Sequence, residues 1–313
     1  MPSPAVDIEL RQIRLLPRHL PDELFLLPGM GHGRLYREQL IPGETSKYGF
    51  VAYLPEHLGR GIRVRRKPDK PRSVFLNLAL PASREEIAAV FAMARQVVEQ
   101  RMCRIFIGGT EVRSTTLIRL RKDYEVFNLQ VLHHLMRNII NEETGSLIMS
   151  CTMHSLTAGA EEAEQFWAGT DPDAFRDWMH RLQSVEARVA EPEILRNNET
   201  GVHTGVYDLR LGETTLFPNK PMIPLRFYDL KTGVPTTYIE NWQVRLVDAH
   251  LKQTYGYLPF ERLRTALPEE KVFYYDGGRY GIMPLEEHEF YDMVLKEETE
   301  HVQTDEKKET AAL

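Results

Sequence analysis

Residues 74–107 read VFLNLALPASREEIAAVFAMARQVVEQRMCRIFI, and no other stretch indicates the architecture of this chain so clearly. Residues 74–80 and 103–107 are apolar runs of strand length. Between them, Ser83 and Glu86 match a capping box, in which the serine hydroxyl and the glutamate carboxylate each accept a hydrogen bond from the other residue's backbone N–H. Apolar residues then recur at helical spacing between the two runs. The stretch therefore predicts a β-α-β unit.

The N-terminal part of the chain, which we take as residues 1–195, adds further helices to this unit. An amphipathic pattern predicts a helix near residues 124–140, and an apolar run predicts a strand over 147–153. Asp171 and Pro172 have the residue types of an N-cap and a first-turn proline, so they predict the start of another helix.

The C-terminal part, residues 196–296, alternates in short strands that are separated by turns, the clearest at residues 276–278 (Asp-Gly-Gly). This pattern indicates antiparallel hairpins with short helices. The polar, turn-rich residues 191–201 are the expected boundary between the two parts. Residues 297–313 show no periodicity and predict a disordered acidic tail. The fold class expected for the whole chain is α+β.

Charge is segregated along an otherwise ordinary composition. The 313 residues carry a formal net charge of −6, with 42% hydrophobic and 27% charged residues, which excludes collagen-like and mainly disordered classes. Residues 59–73 hold seven basic side chains and one acid, whereas residues 161–199 hold ten acids and four arginines. The tail adds six acids and two lysines. This segregation favours a binding protein.

The bulk features also predict a cytoplasmic location. The sequence contains no run of 18 apolar residues, which is the length that a membrane-spanning helix needs. The first ten residues do not resemble a secretory signal. Cys103 and Cys151 are the only cysteines, and each lies in an apolar run that predicts a buried strand. Two cysteines cannot make a disulfide scaffold or a cysteine-based metal site.

The basic segment is the first candidate binding element. Arg63, Arg65, Arg66 and Lys67 could engage phosphates, but the segment lacks the interleaved aromatic residues that nucleic-acid binders usually carry. Alternation with apolar residues instead predicts a strand with a solvated face. An acidic protein partner, or the chain's own acidic residues 161–199, competes with RNA as the ligand of this segment, and nucleic acid is possible but not favoured.

A second candidate surface comes from the aromatic residues of the C-terminal part. Tyr238, Trp242 and Tyr257 belong to a segment dense in large amphipathic rings. Most such rings are expected in the core, but Tyr and Trp are also favoured at interfaces because they bury much area and keep a polar group.

An enzymatic alternative rests on dispersed residues. His32 lies in the glycine-rich stretch 29–33, and with His203 and Asp276 it could form a catalytic site if the fold brings them together. The glycine-rich stretch lacks the strand-loop-helix context of a phosphate-binding loop, so we expect no cofactor. The histidines have no metal-ligand spacing, so we expect no metal.

The leading hypothesis is therefore a non-catalytic binding or interaction protein with an unknown protein partner, and an immunity-like role is one version of it. The alternatives are an enzyme with a site near residues 29–33 and an RNA-binding protein that uses residues 60–72. The sequence leans away from an enzyme and predicts no membrane association.

Several short motifs occur in an order that resembles an uncharacterised family of bacterial cytosolic proteins, described as a domain of unknown function. They are Gly59-Arg60-Gly61-Ile62, the sequence Leu-Phe-Pro-Asn-Lys-Pro at residues 216–221, Trp242, and residues 271–276. The resemblance covers most of residues 55–295. It implies no activity and no catalytic residues.

Overall fold

The computed structural model describes residues 4–13, 19–36, 39–100, 103–141, 143–168, 173–224, 227–229 and 232–296. The predicted helix start at Asp171 and Pro172 and the predicted tail at 297–313 lie outside these residues. The chain divides into two compact units, Met1–Val185 and Glu186–Leu313. The observed mixture of helices and mainly antiparallel sheets confirms the α+β class.

The first unit is built on an eight-stranded antiparallel sheet. Its strands are β1 (Ala5–Gln12), β2 (Gly31–Tyr36), β3 (Gln39–Pro42), β4 (Gly49–Tyr53), β5 (Ile62–Arg66), β6 (Ser73–Ala79), β7 (Cys103–Ile107) and β8 (Thr110–Val112). They lie in the order β3-β2-β4-β5-β6-β1-β7-β8, and each strand is antiparallel to its neighbours. The unit also contains α1 (Arg84–Gln100), α2 (Leu117–Ile140), α3 (Ala160–Ala168), α4 (Ala174–Gln183) and a small hairpin of β9 (Leu147–Met149) and β10 (Leu156–Ala158).

The predicted β-α-β unit is formed by β6, α1 and β7, but its two strands are not neighbours. Strand β1 lies between them and is antiparallel to both. Val6, Ile8 and Leu10 of β1 are buried in the core that the sheet shares with α1. The alternate residues of β1 therefore point to the other side of the sheet, where most of them are charged.

A buried carboxylate joins the start of α1 to the sheet. Glu86 is 2% exposed, and its Oε2 accepts a hydrogen bond from the Ser83 backbone N–H at 3.1 Å, while Ser83 Oγ accepts from the Glu86 N–H at 3.1 Å. This is the predicted capping box. The other oxygen of Glu86 accepts from the Gly61 backbone N–H at 2.7 Å. Burial raises the pKa of Glu86, and the donating amides and the Arg60 guanidinium act in the opposite direction.

The loop before β5 wraps closely around this carboxylate. The Gly59 carbonyl accepts hydrogen bonds from the backbone N–H and hydroxyl of Thr152 at 2.8 and 3.1 Å, and from the Gln183 side chain at 2.8 Å. A Cβ on Gly59 would lie 2.2 Å from Glu86 Oε2, so only glycine fits there. Arg60 donates to the carbonyl oxygens of Ser150 and Pro81 at 2.8 and 3.2 Å. One cluster thus fixes α1, β5 and the 150–152 loop.

The second unit contains two four-stranded sheets. One has the order β11-β14-β18-β17 and the other the order β12-β13-β15-β16. Their bounds are β11 (Arg188–Val189), β12 (Glu193–Arg196), β13 (His203–Arg210), β14 (Thr215–Pro218), β15 (Asn241–Asp248), β16 (Gln253–Pro259), β17 (Val272–Asp276) and β18 (Arg279–Ile282). Two helices, α5 (Phe260–Ala266) and α6 (residues 287–296), complete it. Tyr207, Phe217, Leu246 and Phe290 are among the buried core residues.

The expected boundary at residues 191–201 lies inside this second unit. Strand β12 pairs antiparallel with β13, so the turn-rich residues between them are a hairpin turn. The Asn197 side chain accepts hydrogen bonds from the backbone N–H groups of Glu199 and Thr200 at 2.9 and 3.1 Å, which explains the turn chemistry. Of the chain that the structure describes, no helix is long and apolar enough to cross a membrane.

Replacing Glu86 by Gln should lower the free energy of unfolding by about 1–3 kcal/mol, because both carboxylate oxygens accept from backbone N–H groups and an amide has only one acceptor oxygen. Urea denaturation measures the change. Glu99→Gln on the same helix is the matched control, since Glu99 is 56% exposed, and it should change the stability by less than about 0.5 kcal/mol. Equal losses in both variants would show that the buried cluster has no special role.

Candidate functional site

One side of the eight-stranded sheet is the best candidate for a functional surface. Because side chains alternate along a strand, the residues between the core positions of β5, β6, β1 and β7 share the side opposite α1. We call this side the open face. Its residues are Arg63, Arg65, Phe75, Asn77, Asp7, Glu9, Arg11, Arg104 and Phe106. All of them are exposed or only partly buried.

Two phenylalanines lie in one row across the open face. Phe75 pairs with Glu9, and Glu9 pairs with Phe106, so the rings project from strands about 10 Å apart. The ammonium nitrogens of Lys67 and Lys70 lie 4.8 and 5.5 Å from the centre of the Phe75 ring. These distances are within the range of cation–π interactions.

The second ring has its own cation. The guanidinium carbon of Arg11 lies 4.1 Å from the centre of the Phe106 ring. Arg104 is paired with Arg11 across β1 and β7, so a second guanidinium is next to this stack. The open face therefore combines aromatic rings and positive charges on neighbouring strands.

The carboxylates of the open face already have partners. Glu9 accepts hydrogen bonds from Ser73 Oγ at 2.6 Å and from Arg11 at 3.0 Å. Asp7 accepts from the Asn77 side-chain amide at 2.6 Å. Although burial raises the pKa of Glu9, the hydrogen bonds from Ser73 and Arg11 outweigh it, and the net direction is downward.

Several cations on or beside the open face have no such partner. Among the described residues, no carboxylate lies within ion-pair distance of Arg63, Arg65 or Lys67. Burial lowers the pKa of Arg63, and repulsion from Arg65 and Arg60 lowers it further. An anion bound at this surface would relieve that repulsion.

Arg66 does not share the open face, although the sequence places it with the other three basic candidates. Its guanidinium donates to the Leu20 carbonyl at 2.8 Å and to Asp22 at 2.6 Å, and it lies over the Phe25 ring at 5.7 Å. The reason is the strand period: Arg65 and Arg66 are consecutive, so they point to opposite sides. Arg66 therefore holds residues 20–25 against the sheet.

The three aromatic candidates lie in the second unit and do not form one surface. Trp242 pairs with Gly205, and its ring covers that glycine so closely that a Cβ would lie 2.2 Å away. Tyr257 pairs with Arg245, three residues further along β15 than Trp242, and therefore lies on the other side of that sheet. Tyr238 lies outside the strands and is 79% exposed.

The three residues of the enzymatic alternative lie on three different sheets. His32 belongs to the first unit, within β2, where its ring meets Phe50 edge-on at 6.0 Å. The predicted loop 29–33 is therefore in part a strand. His203 opens β13 and Asp276 ends β17, on different sheets of the second unit.

The contacts of Asp276 are typical of a residue that stabilises a turn. Its carboxylate is fully buried and accepts hydrogen bonds from Arg279 at 2.7 Å and from the Gly278 backbone N–H at 3.0 Å. These contacts close the predicted hairpin turn. Among the described residues, no three histidine, cysteine, aspartate or glutamate side chains lie close enough together to hold a metal ion.

The sequence did not indicate Phe75, Phe106, Arg11 or Arg104 as site residues. Phe75 lies just beyond the basic segment, and the other three belong to strands distant from it in the sequence. The only local sign was the alternation of β1, in which charged residues follow apolar ones.

A family model described as a domain of unknown function, DUF4299, matches residues 38–293. This range contains every motif on which the resemblance rested, so the resemblance is confirmed. No curated protein and no solved structure matches the chain.

Replacing Glu9 by Gln should destabilise the protein by about 1 kcal/mol at pH 7, because the charge that accepts from Ser73 and Arg11 is lost. A carboxyl whose folded pKa lies below its unfolded pKa stabilises the fold at high pH and loses this effect as the pH falls through the folded pKa. The difference in the free energy of unfolding between Glu9→Gln and the wild type should therefore stay constant above the ordinary glutamate pKa of 4.5. Below that pH the difference should become smaller.

Urea denaturation at several pH values measures this difference. Glu111→Gln is the control, because Glu111 is 51% exposed in its pair with Arg104 and should contribute less than about 0.5 kcal/mol. A Glu9→Gln difference that does not narrow at low pH would contradict the role assigned to its charge.

Proposed function

Because the chain belongs to the DUF4299 family, whose description assigns no activity, we propose a function from the open face: the protein binds single-stranded nucleic acid. The observation that carries the proposal is the row formed by Phe75, Glu9 and Phe106, flanked by cations without carboxylate partners. Exposed antiparallel sheets with aromatic residues on nearby strands are a common platform for stacking unpaired bases.

Each part of the open face has a role in this binding. Arg63, Arg65 and Lys67 contact phosphates, and their charge gives most of the affinity. A base stacks on Phe75, while the Arg11 guanidinium on Phe106 offers a second flat surface. Bases in a duplex are stacked on one another and cannot reach rings that lie in a sheet. A single strand is therefore the better ligand.

The proposal keeps the expectation of a non-catalytic binding protein and changes the kind of partner. An acidic protein would satisfy the positive charges of the open face, but it has no specific use for two rings in one row. The sequence disfavoured nucleic acid because the basic segment lacked aromatic residues. Phe75 and Phe106 supply them from β6 and β7.

The proposal includes a cytoplasmic location, where RNA is abundant. It is supported by the cysteine count: two cysteines in 313 residues are too few for the disulfide scaffolds that are typical of small secreted proteins. The bacterial origin that the resemblance implies stays a prediction.

Arg65→Gln should weaken binding of a short labelled single-stranded RNA about threefold to tenfold at low salt and reduce the slope of log affinity against log salt by about 1. Fluorescence anisotropy at several salt concentrations measures both quantities. Arg66→Gln is the matched control: the same change one residue away, on the other side of the sheet, should leave affinity and slope unchanged. If Arg66→Gln unfolds, Arg95→Gln on the exposed side of α1 replaces it.

Phe75→Leu should weaken binding of the same RNA about tenfold and leave the salt slope unchanged, because it removes stacking and no charge. Phe127→Leu is the matched control, since Phe127 is 42% exposed on α2 and lies off the open face. Circular dichroism confirms that both variants are folded.

Three outcomes would overturn the proposal. The first is the absence of RNA binding at low salt. The second is equal affinity for a duplex of the same length. The third is tighter binding of polyglutamate than of RNA, which would favour an acidic protein partner.

A further inference from the structure

A concave site lies wholly within the second unit. It is a cavity of about 530 Å³ between α5, the segment after β14 and the β17-β18 hairpin. The volume is within the usual range for small-molecule sites. Its walls combine aromatic rings with basic side chains, and nothing described above assigns it a role.

The aromatic wall is built by the hairpin. Tyr274 pairs with Tyr280 across β17 and β18, so the two rings project on the same side. Tyr274 is 57% exposed, so one ring stands at the rim of the cavity. Burial raises the pKa of Tyr280 above its ordinary value of 10.0, although Arg264 acts in the opposite direction. The Tyr280 hydroxyl therefore stays protonated and can donate a hydrogen bond.

The cavity wall carries a net positive charge, even when Arg279 is left out because it is paired with an acid. Arg279 is neutralised by buried Asp276, at 2.7 Å. Lys220 and Arg264 remain, and among the described residues no carboxylate lies within ion-pair distance of either. The guanidinium carbon of Arg264 lies 5.4 Å from the centre of the Tyr280 ring. Glu261, on the same helix, is the one acid among the described residues that line the cavity.

We propose that this cavity binds a small compound in which an anionic group is attached to a planar ring system, with the anion between Lys220 and Arg264 and the ring against Tyr274 and Tyr280. A phosphate or a carboxylate suits the two cations. A planar ring suits the two tyrosines. Nucleoside monophosphates combine both groups at a size that fits, and they are the probes for the test.

Isothermal titration of the full chain with AMP, GMP, CMP and UMP tests the proposal. At least one should bind saturably with a Kd below about 1 mM, and its nucleoside and inorganic phosphate alone should each bind at least about tenfold more weakly. Arg264→Gln should weaken the binding about tenfold, because it removes a charge-assisted hydrogen bond. Glu261→Gln should tighten it, because it removes the acid of the cavity wall.

Arg196→Gln is the matched control, because Arg196 belongs to the same unit, is exposed on β12 and does not line the cavity. This substitution should leave the Kd of each mononucleotide unchanged. No saturable binding of any probe up to about 1 mM would overturn the proposal. So would equal binding by the wild type, Arg264→Gln and Glu261→Gln.

The open face provides an independent check. Arg65→Gln and Phe75→Leu should leave mononucleotide binding unchanged, because both residues lie in the first unit. Loss of mononucleotide binding in Arg65→Gln, with binding retained in Arg264→Gln, would place the nucleotide on the open face and contradict the cavity assignment. The cavity and the nucleic-acid proposal can thus fail separately.

Discussion

A carboxylate that is removed from water must accept hydrogen bonds, and in the first unit this requirement fixes the geometry around Glu86. Its donors come from the start of α1 and from the loop before β5, and the Gly59 carbonyl in that loop accepts from Thr152 and Gln183. The same cluster therefore determines where β5 begins. Because side chains alternate along a strand, the start of β5 also determines which of its arginines reach solvent. The composition of the open face depends on this buried contact.

The open face and the cavity are suited to ligands of different size and shape. The open face has cations on several strands and two rings that are only partly buried, which suits a long flexible polyanion. The cavity is small, with two cations and two tyrosines around one space, which suits a compact ligand. Each unit carries one of these sites, and each site is formed by antiparallel pairing. In both cases one acid is already paired with one basic residue of the same site: Glu9 with Arg11, and Asp276 with Arg279.

The parts of the fold that the sequence predicted are those with local signals. The capping box at Ser83 and the strands on either side of α1 follow from short-range patterns, and so does the turn at residues 276–278. The insertion of β1 between β6 and β7 could not be predicted, because it pairs residues about 70 and 100 positions apart. The alternation within β1 indicates a strand but does not indicate which strands are its neighbours. The row of Phe75 and Phe106 depends on that insertion. The pairing of β12 with β13 was not predicted either, because the turn-rich residues around β12 indicated a boundary between the two parts of the chain, whereas they form a hairpin.

The basic segment shows why net charge alone is a poor guide to a binding surface. Its residues looked equivalent in the sequence, yet Arg65 faces solvent beside Phe75 while Arg66 is paired with Asp22 on the opposite side. The formal charge of −6 for the chain and the positive charge of residues 59–73 both average over such differences. The side of the sheet on which each charge lies depends on strand register, and the register depends on buried contacts far from any ligand. A segment's charge therefore becomes evidence of binding only after its strand has been placed and its carboxylate partners have been assigned.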